Sequence, residues 1–554
     1  MQTGAELFVR AMEQLRLQTL FTLVGDHLNE VLRAAADAGI RIIDMRHESA
    51  VTHAADAYAR ATREPALSLV TGGPGHTNSL TGIATAYLNL SPIIAVSGSR
   101  SNAIADRGAF QDIDQIGMAR PVVKWAAEPH SPGQIPFYLS RAYAEANSGR
   151  KGPVHLSIPT DLFSATAQSQ SPAAFPVCET AAAPDDKSVA RAIELMRSAQ
   201  RPVVIAGSGI WWSRAEHDLV RFIEHTGFPL YTATLAKGAV PDDHPLCFGY
   251  PDPTLNRAAK RAFAEADLFV IVGKRIDFRL ALGGPKLLSP DARVIQIDIH
   301  AAELGLNRKL DLAICADARL TLRRLTAAAG EKPWSGLPCI EDLKRYRAEW
   351  LADLEARAAN AGRPLEHAPL HPAVFFFELR KHLPRETILS WDGGDFVQWG
   401  RAIIPATGPG RWLRLGPLGT IGAGFPNALA LQAAHPDRRV VMITGDGSLG
   451  FYIAEMDTAV RHKLPVVIIV GNDAGWGMER ELQGGGNTVA CELRETCYDK
   501  VMEGFGGAGE TIESASQIGP ALNRAFQAGV PYLINVRIRG VASPFTEWNL
   551  SSRR

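Results

Sequence analysis

Two aspartates at the ends of apolar runs carry the most chemistry in this chain. Val440–Thr444 reads Val-Val-Met-Ile-Thr and stops at Gly445-Asp446-Gly447-Ser448. Val466–Val470 is a second apolar run and stops at Gly471-Asn472-Asp473, 27 positions after the first aspartate. Short apolar runs bounded by glycine are expected as core strands. Between them Leu449, Ile453, Met456 and Val460 recur at steps of four, three and four, which predicts one amphipathic helix ended by Pro465. A right-handed strand–helix–strand unit opens both loops on one sheet edge, where open α/β sheets hold ligands. Two oxygen donors there, beside a glycine turn with free N–H groups, suit a hard cation on a diphosphate. Gly-Asp-Gly alone also makes an ordinary turn; the second strand-end aspartate is what sharpens it.

Other reactive side chains follow apolar runs too. Arg46-His47-Glu48 comes after Ile40–Asp44 and before a helical pattern through Val51, Ala55 and Tyr58. Glu48 reads either as a carboxyl for acid–base work or as a helix-start glutamate favoured by the macrodipole. Gly25-Asp26-His27 offers a proton relay near neutral pH, or a histidine beside a helix cap. Thr71-Gly72-Gly73-Pro74-Gly75-His76-Thr77-Asn78 is a glycine loop that a plain turn explains equally well. In Phe110-Gln111-Asp112, the Gln111 amide could hold a carbonyl or alkoxide without adding charge, or simply sit in a polar loop.

These positions require strands alternating with helices, which predicts an α/β chain of three doubly wound parallel-sheet domains. The first spans residues 1–165, with strands expected at Leu20–Val24, Ile40–Asp44, Ala66–Val70, Pro92–Val96 and Val154–Ile158. Residues 166–186, rich in proline and alanine, read as a linker. The second spans 187–330, with strands at Pro202–Ala206, Leu268–Val272 and Val294–Ile297. A charged helical stretch covers 331–368, and the third domain spans 369–554.

The 554 residues exceed what one core can hold, and 46% apolar with 21% charged content is ordinary for a globular protein. Formal net charge is zero and no basic stretch is long enough for nucleic acid. Six cysteines show no Cys-x-x-Cys spacing, which fits a reducing compartment rather than a zinc site. No apolar run reaches the ~18 residues of a membrane span, and the start carries no secretory pattern, so a cytoplasmic protein is expected.

Taken together, these motifs resemble the thiamin-diphosphate enzymes of the acetolactate synthase, benzaldehyde lyase and 2-hydroxyacyl-CoA lyase group, over nearly the whole chain. The group's metal motif is Gly-Asp-Gly, about 27 residues, then Asn-Asn; here Asp473 replaces the second Asn and Asn472 keeps the first. The resemblance implies Mg²⁺ held by Asp446, Asp473 and the Gly475 carbonyl, with Gly445, Gly447 and Ser448 around the diphosphate. Asp473 adds a negative charge near that diphosphate, which raises the electrostatic cost there. Gly419-Thr420-Ile421-Gly422 stands where the group has Gly-x-Met-Gly, so Ile421 would be the wedge that bends the cofactor, with Gly422 beside it. Gly394, Asp395 and Met478 join the cofactor set. Glu48 would hydrogen-bond the aminopyrimidine and so prime loss of the thiazolium proton, in an active site shared between subunits of a homodimer or homotetramer. His27 and Gln111 would handle protons and orient substrate.

Acetolactate synthases carry Gly-Met-Val-x-Gln-Trp after the metal loop. This chain has Gly477-Met478-Glu479-Arg480-Glu481-Leu482, without the Trp that shapes a pocket for a second 2-keto acid. The resemblance therefore implies a carbon–carbon lyase or ligase for a 2-hydroxyacyl-CoA or similar 2-hydroxy ketone. Acetolactate formation from pyruvate is the alternative, and a non-catalytic regulatory scaffold the remote one. In the middle domain Gly207-Ser208-Gly209, Asp298 and Arg275 could hold FAD or ADP, or the domain could be an empty structural unit. The last residues, Trp548 to Arg554, read as a lid reaching CoA phosphates or as a solvated tail.

Overall fold

Three parallel sheets organise the chain, seen in a computed structural model that describes residues 1–167, 181–361 and 369–553. The first sheet holds β1 (Thr19–Thr22), β2 (Arg41–Asp44), β3 (Ala66–Val70), β4 (Ile93–Ser99), β5 (Ala126–Ala127) and β6 (Val154–Pro159). Their spatial order is β2-β1-β3-β4-β6-β5. Helix α1 (Glu48–Thr62) links β2 to β3, and α2 (Pro74–Asn89) links β3 to β4. The middle sheet holds β7 (Pro202–Ala206), β8 (Leu230–Thr232), β9 (Leu268–Val272), β10 (Arg293–Asp298) and β11 (Leu312–Cys315), in order β8-β7-β9-β10-β11. The charged stretch that follows forms α3 (Cys339–Asn360), which buries Leu343, Tyr346, Trp350 and Leu354 along one stripe.

The third sheet holds β12 (Ile388–Trp391), β13 (Trp412–Arg414), β14 (Val440–Gly445), β15 (Val467–Asn472), β16 (Ala508–Ile512) and β17 (Tyr532–Arg537). Its order, β13-β12-β14-β15-β17-β16, repeats that of the first sheet strand for strand. In β14 and β15 every residue before the closing glycine turn is buried, which fits a sheet covered on both faces.

The outer two domains share one core. The alanine-rich face of α1 (Ala50, Ala54, Ala57) packs with α5 (Gly424–Ala434), reached after α4 (Asp395–Ile403); Phe425, Ala428 and Leu431 lie in the same buried cluster. Small side chains let these helices approach closely; a Cβ at Gly82 in α2 would collide with the Thr52 hydroxyl.

The expected linker falls largely on 168–180, outside the described residues; Thr166–Ala167 pairs antiparallel with Gln2–Thr3. Two local expectations change. The helix after Asp446 is two pieces, α6 (Asp446–Gly450) and α7 (Glu455–Arg461), and α7 ends before Pro465. The break turns Tyr452 and Glu455 onto the first domain. Tyr452 donates to Ser49 Oγ (2.9 Å), and Glu455 accepts from the Arg46 amide (3.0 Å). An apolar period alone could not reveal contacts made some four hundred residues away. The C-terminal tail is ordered rather than a loose, solvated end. It forms α9 (Pro544–Arg553), fixed by Glu547 to Arg257 and Arg357 (2.7 and 2.8 Å).

Burial pushes the Glu455 carboxyl up to about 7, against hydrogen bonds from Thr458 and the Arg46 amide. Its proton is therefore held more tightly in the folded state. That stability is complete below the ordinary carboxylate range and is lost as pH rises through about 7. Glu455→Gln removes the dependence. Relative to wild type it should gain roughly 2 kcal/mol between pH 5 and pH 8. Thermal unfolding at the two pH values checks this, and a constant difference in Tm rejects it.

Candidate active site

The aligned register of β14 and β15 builds the first half of the site. Gly445 pairs with Gly471, so the loops carrying Asp446 and Asp473 leave neighbouring strands at one level. Between them lies a cavity of about 110 Å³, lined by Gly394, Asp395, Ile421, Gly445, Asp446, Gly447, Ser448, Asp473, Gly475 and Met478. Of the cofactor set, only Gly422 stands behind this wall. Its N–H donates to Asp392 (2.9 Å), as do those of Gly393 (2.7 Å) and Gly424 (3.2 Å). Asp392 thus ties the Ile421 loop to the end of β12. The Asp392-Gly393-Gly394 run at a strand end was a signal for it that the sequence reading passed over.

Asp446 accepts from the Gly475 amide (3.0 Å), which ties the two strand-end loops together. Gly447 is required because a Cβ would lie 2.8 Å from the Trp476 ring. Asn472 turns inward, donating to the Thr496 carbonyl (3.0 Å) and Asn535 (3.1 Å), while its own oxygen accepts from the Ala474 amide (3.2 Å). It therefore holds the loop and leaves Asp473 to face the cavity. Burial pushes Asp446 up to about 6. Burial, with the Asp446 charge beside it, pushes Asp473 up to about 7. Two carboxylates disfavoured by burial in this way are a donor set that a divalent cation would relieve. Asp395 has a divided role: Oδ1 accepts from the Ser543 amide (3.0 Å) and Thr546 (2.6 Å), anchoring α9, while Oδ2 is buried without a partner.

The second half lies on the first domain, around the loop 71–75. Glu48 opens α1 and accepts from Asn78 Nδ2 (3.0 Å); a Cβ at Gly75 would sit 3.6 Å from its Oε1. His27 is buried, with Nδ1 2.9 Å from Thr71 Oγ1 and accepting from the Gly72 amide (3.2 Å). Gln111 adopts a left-handed backbone (φ 59°), packs on Gly73, and buries an Oε1 without a hydrogen-bond partner. Gln115, four residues further on, is the structural amide. It accepts from the Gly73 amide (3.0 Å) and donates to the Gly98 carbonyl (3.1 Å) and Ser157 (3.0 Å). His76 is fully buried, bonded to Ser97 (3.0 Å) and 4.6 Å from the His155 ring. Burial holds it near 4, so it is a neutral core residue. Glu48, His27 and Gln111 thus share one loop, but none of them lines the cavity of Asp446 and Asp473.

Comparison with known proteins decides what this edge belongs to. Three family profiles match in chain order: the N-terminal TPP binding domain over residues 2–118, the thiamine pyrophosphate enzyme central domain over 189–325, and the C-terminal TPP binding domain over 392–536. The chain belongs to the thiamine pyrophosphate enzymes. Among relatives, acetolactate synthase large subunit IlvG of Mycobacterium tuberculosis is 34% identical, over 96% of this chain and 95% of its own. The 2-hydroxyacyl-CoA lyase of Oryza sativa subsp. japonica is 31% identical over 97% and 95%, and 2-hydroxyacyl-CoA lyase 1 of Mus musculus 30% over 97% and 94%.

As a thiamine pyrophosphate enzyme, the chain presents its diphosphate motif and its Glu48 loop on different sheet edges. A larger cavity, about 320 Å³, lies apart from both. Ser208, Gly209, Lys274, Arg275 and Asp298 of the central domain face residues of both outer domains across it. Among the described residues no helix is long and apolar enough to cross a membrane, and Cys247, Cys315, Cys339, Cys491 and Cys497 are free.

Proposed function

We propose that the enzyme makes or breaks a carbon–carbon bond next to a carbonyl, on a 2-hydroxyacyl thioester or a similar 2-hydroxy ketone, using thiamin diphosphate and Mg²⁺. Asp446, Asp473 and the Gly475 carbonyl hold the cation, the loop from Gly445 to Ser448 takes the diphosphate, and Ile421, Gly422, Gly394, Asp395 and Met478 shape the bed. The bound coenzyme supplies a nucleophilic carbon and an electron sink. Glu48 holds a proton at the aminopyrimidine, Gln111 offers an amide to the substrate oxygen, and His27 moves a proton at a carbinol oxygen.

The His27 geometry supports this reading most directly. With Nδ1 accepting from the Gly72 amide, a neutral ring carries its proton on Nε2. Leu482, standing where acetolactate synthases place Trp, supports it further. The relatives named acetolactate synthase favour a second reading, decarboxylation of pyruvate followed by ligation. Supplying pyruvate alone, then a short aldehyde with formyl-CoA, separates the two. Carbon–carbon bond formation is expected only in the second assay, and rapid acetolactate from pyruvate overturns the lyase assignment.

A second copy of the chain completes the site on this reading, because Glu48 and the aspartate cavity do not meet within one chain. Phe110, Val24 and Ile113 on the first domain are exposed, as are Phe451, Leu418 and Val489 on the third. A homodimer or homotetramer would cover such residues. In the central domain Ser208, Gly209, Asp298 and Arg275 line the cavity that would take FAD or ADP. The free cysteines fit a cytoplasmic setting.

A further inference from the structure

The aspartate at 473 has a partner that no motif shows. Arg480 lies one helix turn into α8 (Gly477–Leu482), and its Nη1 is 3.5 Å from Asp473 Oδ2. Its Nη2 donates to the Asp473 carbonyl (3.4 Å). The fit is built rather than incidental. Gly540 has no room for a side chain: a Cβ there would lie 2.6 Å from Asp473 Oδ2 and 2.9 Å from Arg480 Nη1. A Cβ at Gly475 would collide with Arg480 Nη2. The returning segment adds to the frame, with Trp476 N–H donating to the Cys491 carbonyl (2.7 Å) and Glu492 3.1 Å from Arg480 Nε. Glu492 is mostly exposed, whereas Asp473 is only 10% exposed, so Asp473 is the carboxylate whose charge Arg480 offsets most.

The charges near Asp473 decide the matter. Asp446 and Asp395 both act on it as like charges, and Arg480 is the cation that opposes them. Arg539 also lines the cavity, but it donates to the Ala361 carbonyl (2.7 Å). We infer that Arg480 is the counter-charge that lets this chain take a diphosphate on a cation held by two aspartates instead of by an aspartate and an asparagine. Asp473 and Arg480 act as one unit, together equal in charge to the neutral amide. Arg480 is thus a positioning residue for the metal site, and the inference rests on the metal reading proposed above.

Opposed signs distinguish this from a purely structural role. Removing a positive charge beside the cation should strengthen binding of the cation and weaken binding of the diphosphate. The probes are Mn²⁺ titrated alone into the full-length protein, then thiamin diphosphate titrated at saturating Mn²⁺, both by calorimetry. Arg480→Gln is expected to bind Mn²⁺ about tenfold tighter and thiamin diphosphate about tenfold weaker. Asp473→Asn should shift both in the reverse direction. The double variant should return to within about threefold of wild type in each titration. If Mn²⁺ alone gives no heat in any variant, the thiamin diphosphate titration carries the same cycle by itself. Weaker binding in both single variants, with the double variant weaker still, overturns the proposal while leaving the metal site standing. A wild type that binds coenzyme equally well with and without Mn²⁺ removes the metal reading and this inference together.

Discussion

Asp446→Ala should leave the chain folded and abolish coenzyme binding, with turnover down by about 10³-fold or more. Asp446 is 2% exposed and its carboxyl is pushed up to about 6, so the folded apoprotein gains little from the charge. The substitution removes the acceptor of the Gly475 amide and a backbone bond from Gly447, at a cost of about 1–3 kcal/mol for each amide left unpaired. It also removes a carboxylate that burial disfavours, which offsets part of that cost. Stability should therefore change modestly while affinity collapses. Calorimetric titration with Mg²⁺ and thiamin diphosphate, beside thermal unfolding of the apoprotein, separates the two effects. Retained coenzyme affinity in a folded variant would show that the carboxylate at 446 holds no metal.

Glu48→Gln should have the opposite profile: coenzyme binding close to wild type and kcat lower by about 10²–10⁴-fold. The amide keeps an oxygen for the Asn78 contact at 3.0 Å and nearly the same volume at the start of α1. What it loses is a proton that can be taken up and given back at the aminopyrimidine. The helix-start reading of Glu48 predicts something else, a small drop in stability of about 0.3–1 kcal/mol with turnover untouched. Steady-state rates at saturating coenzyme, with a binding isotherm for the same preparation, decide between the two. Unchanged kcat would reject the assigned role.

Much of the fold was readable from the residues. Ala66–Val70, Pro202–Ala206 and Leu268–Val272 are strands at the expected ends, because each is a continuous apolar run closed by a turn. Asp446 and Asp473 were found for the same reason: strand register puts both run ends at one level. What escaped depended on distant partners. The break between α6 and α7 exists because Tyr452 and Glu455 reach Ser49 and Arg46. Asp392 matters through amides thirty residues later, and Arg480 through glycines at 475 and 540. The α9 helix is held by Arg257 and Arg357, neither adjacent in the chain. Periodicity reports what a segment does by itself, and these features are set by what it meets.

The core common to α1 and α5 has a consequence for biosynthesis. The alanine face of α1 leaves the ribosome about 370 residues ahead of the helix that covers it. At roughly 5–20 residues per second, that surface stays bare for about twenty seconds to over a minute. The central domain, two of whose buried clusters draw only on residues 189–346, can mature in that interval. Chaperone dependence during translation should then trace to the first domain, which is sticky while it waits, and truncation before α5 should yield an aggregating fragment.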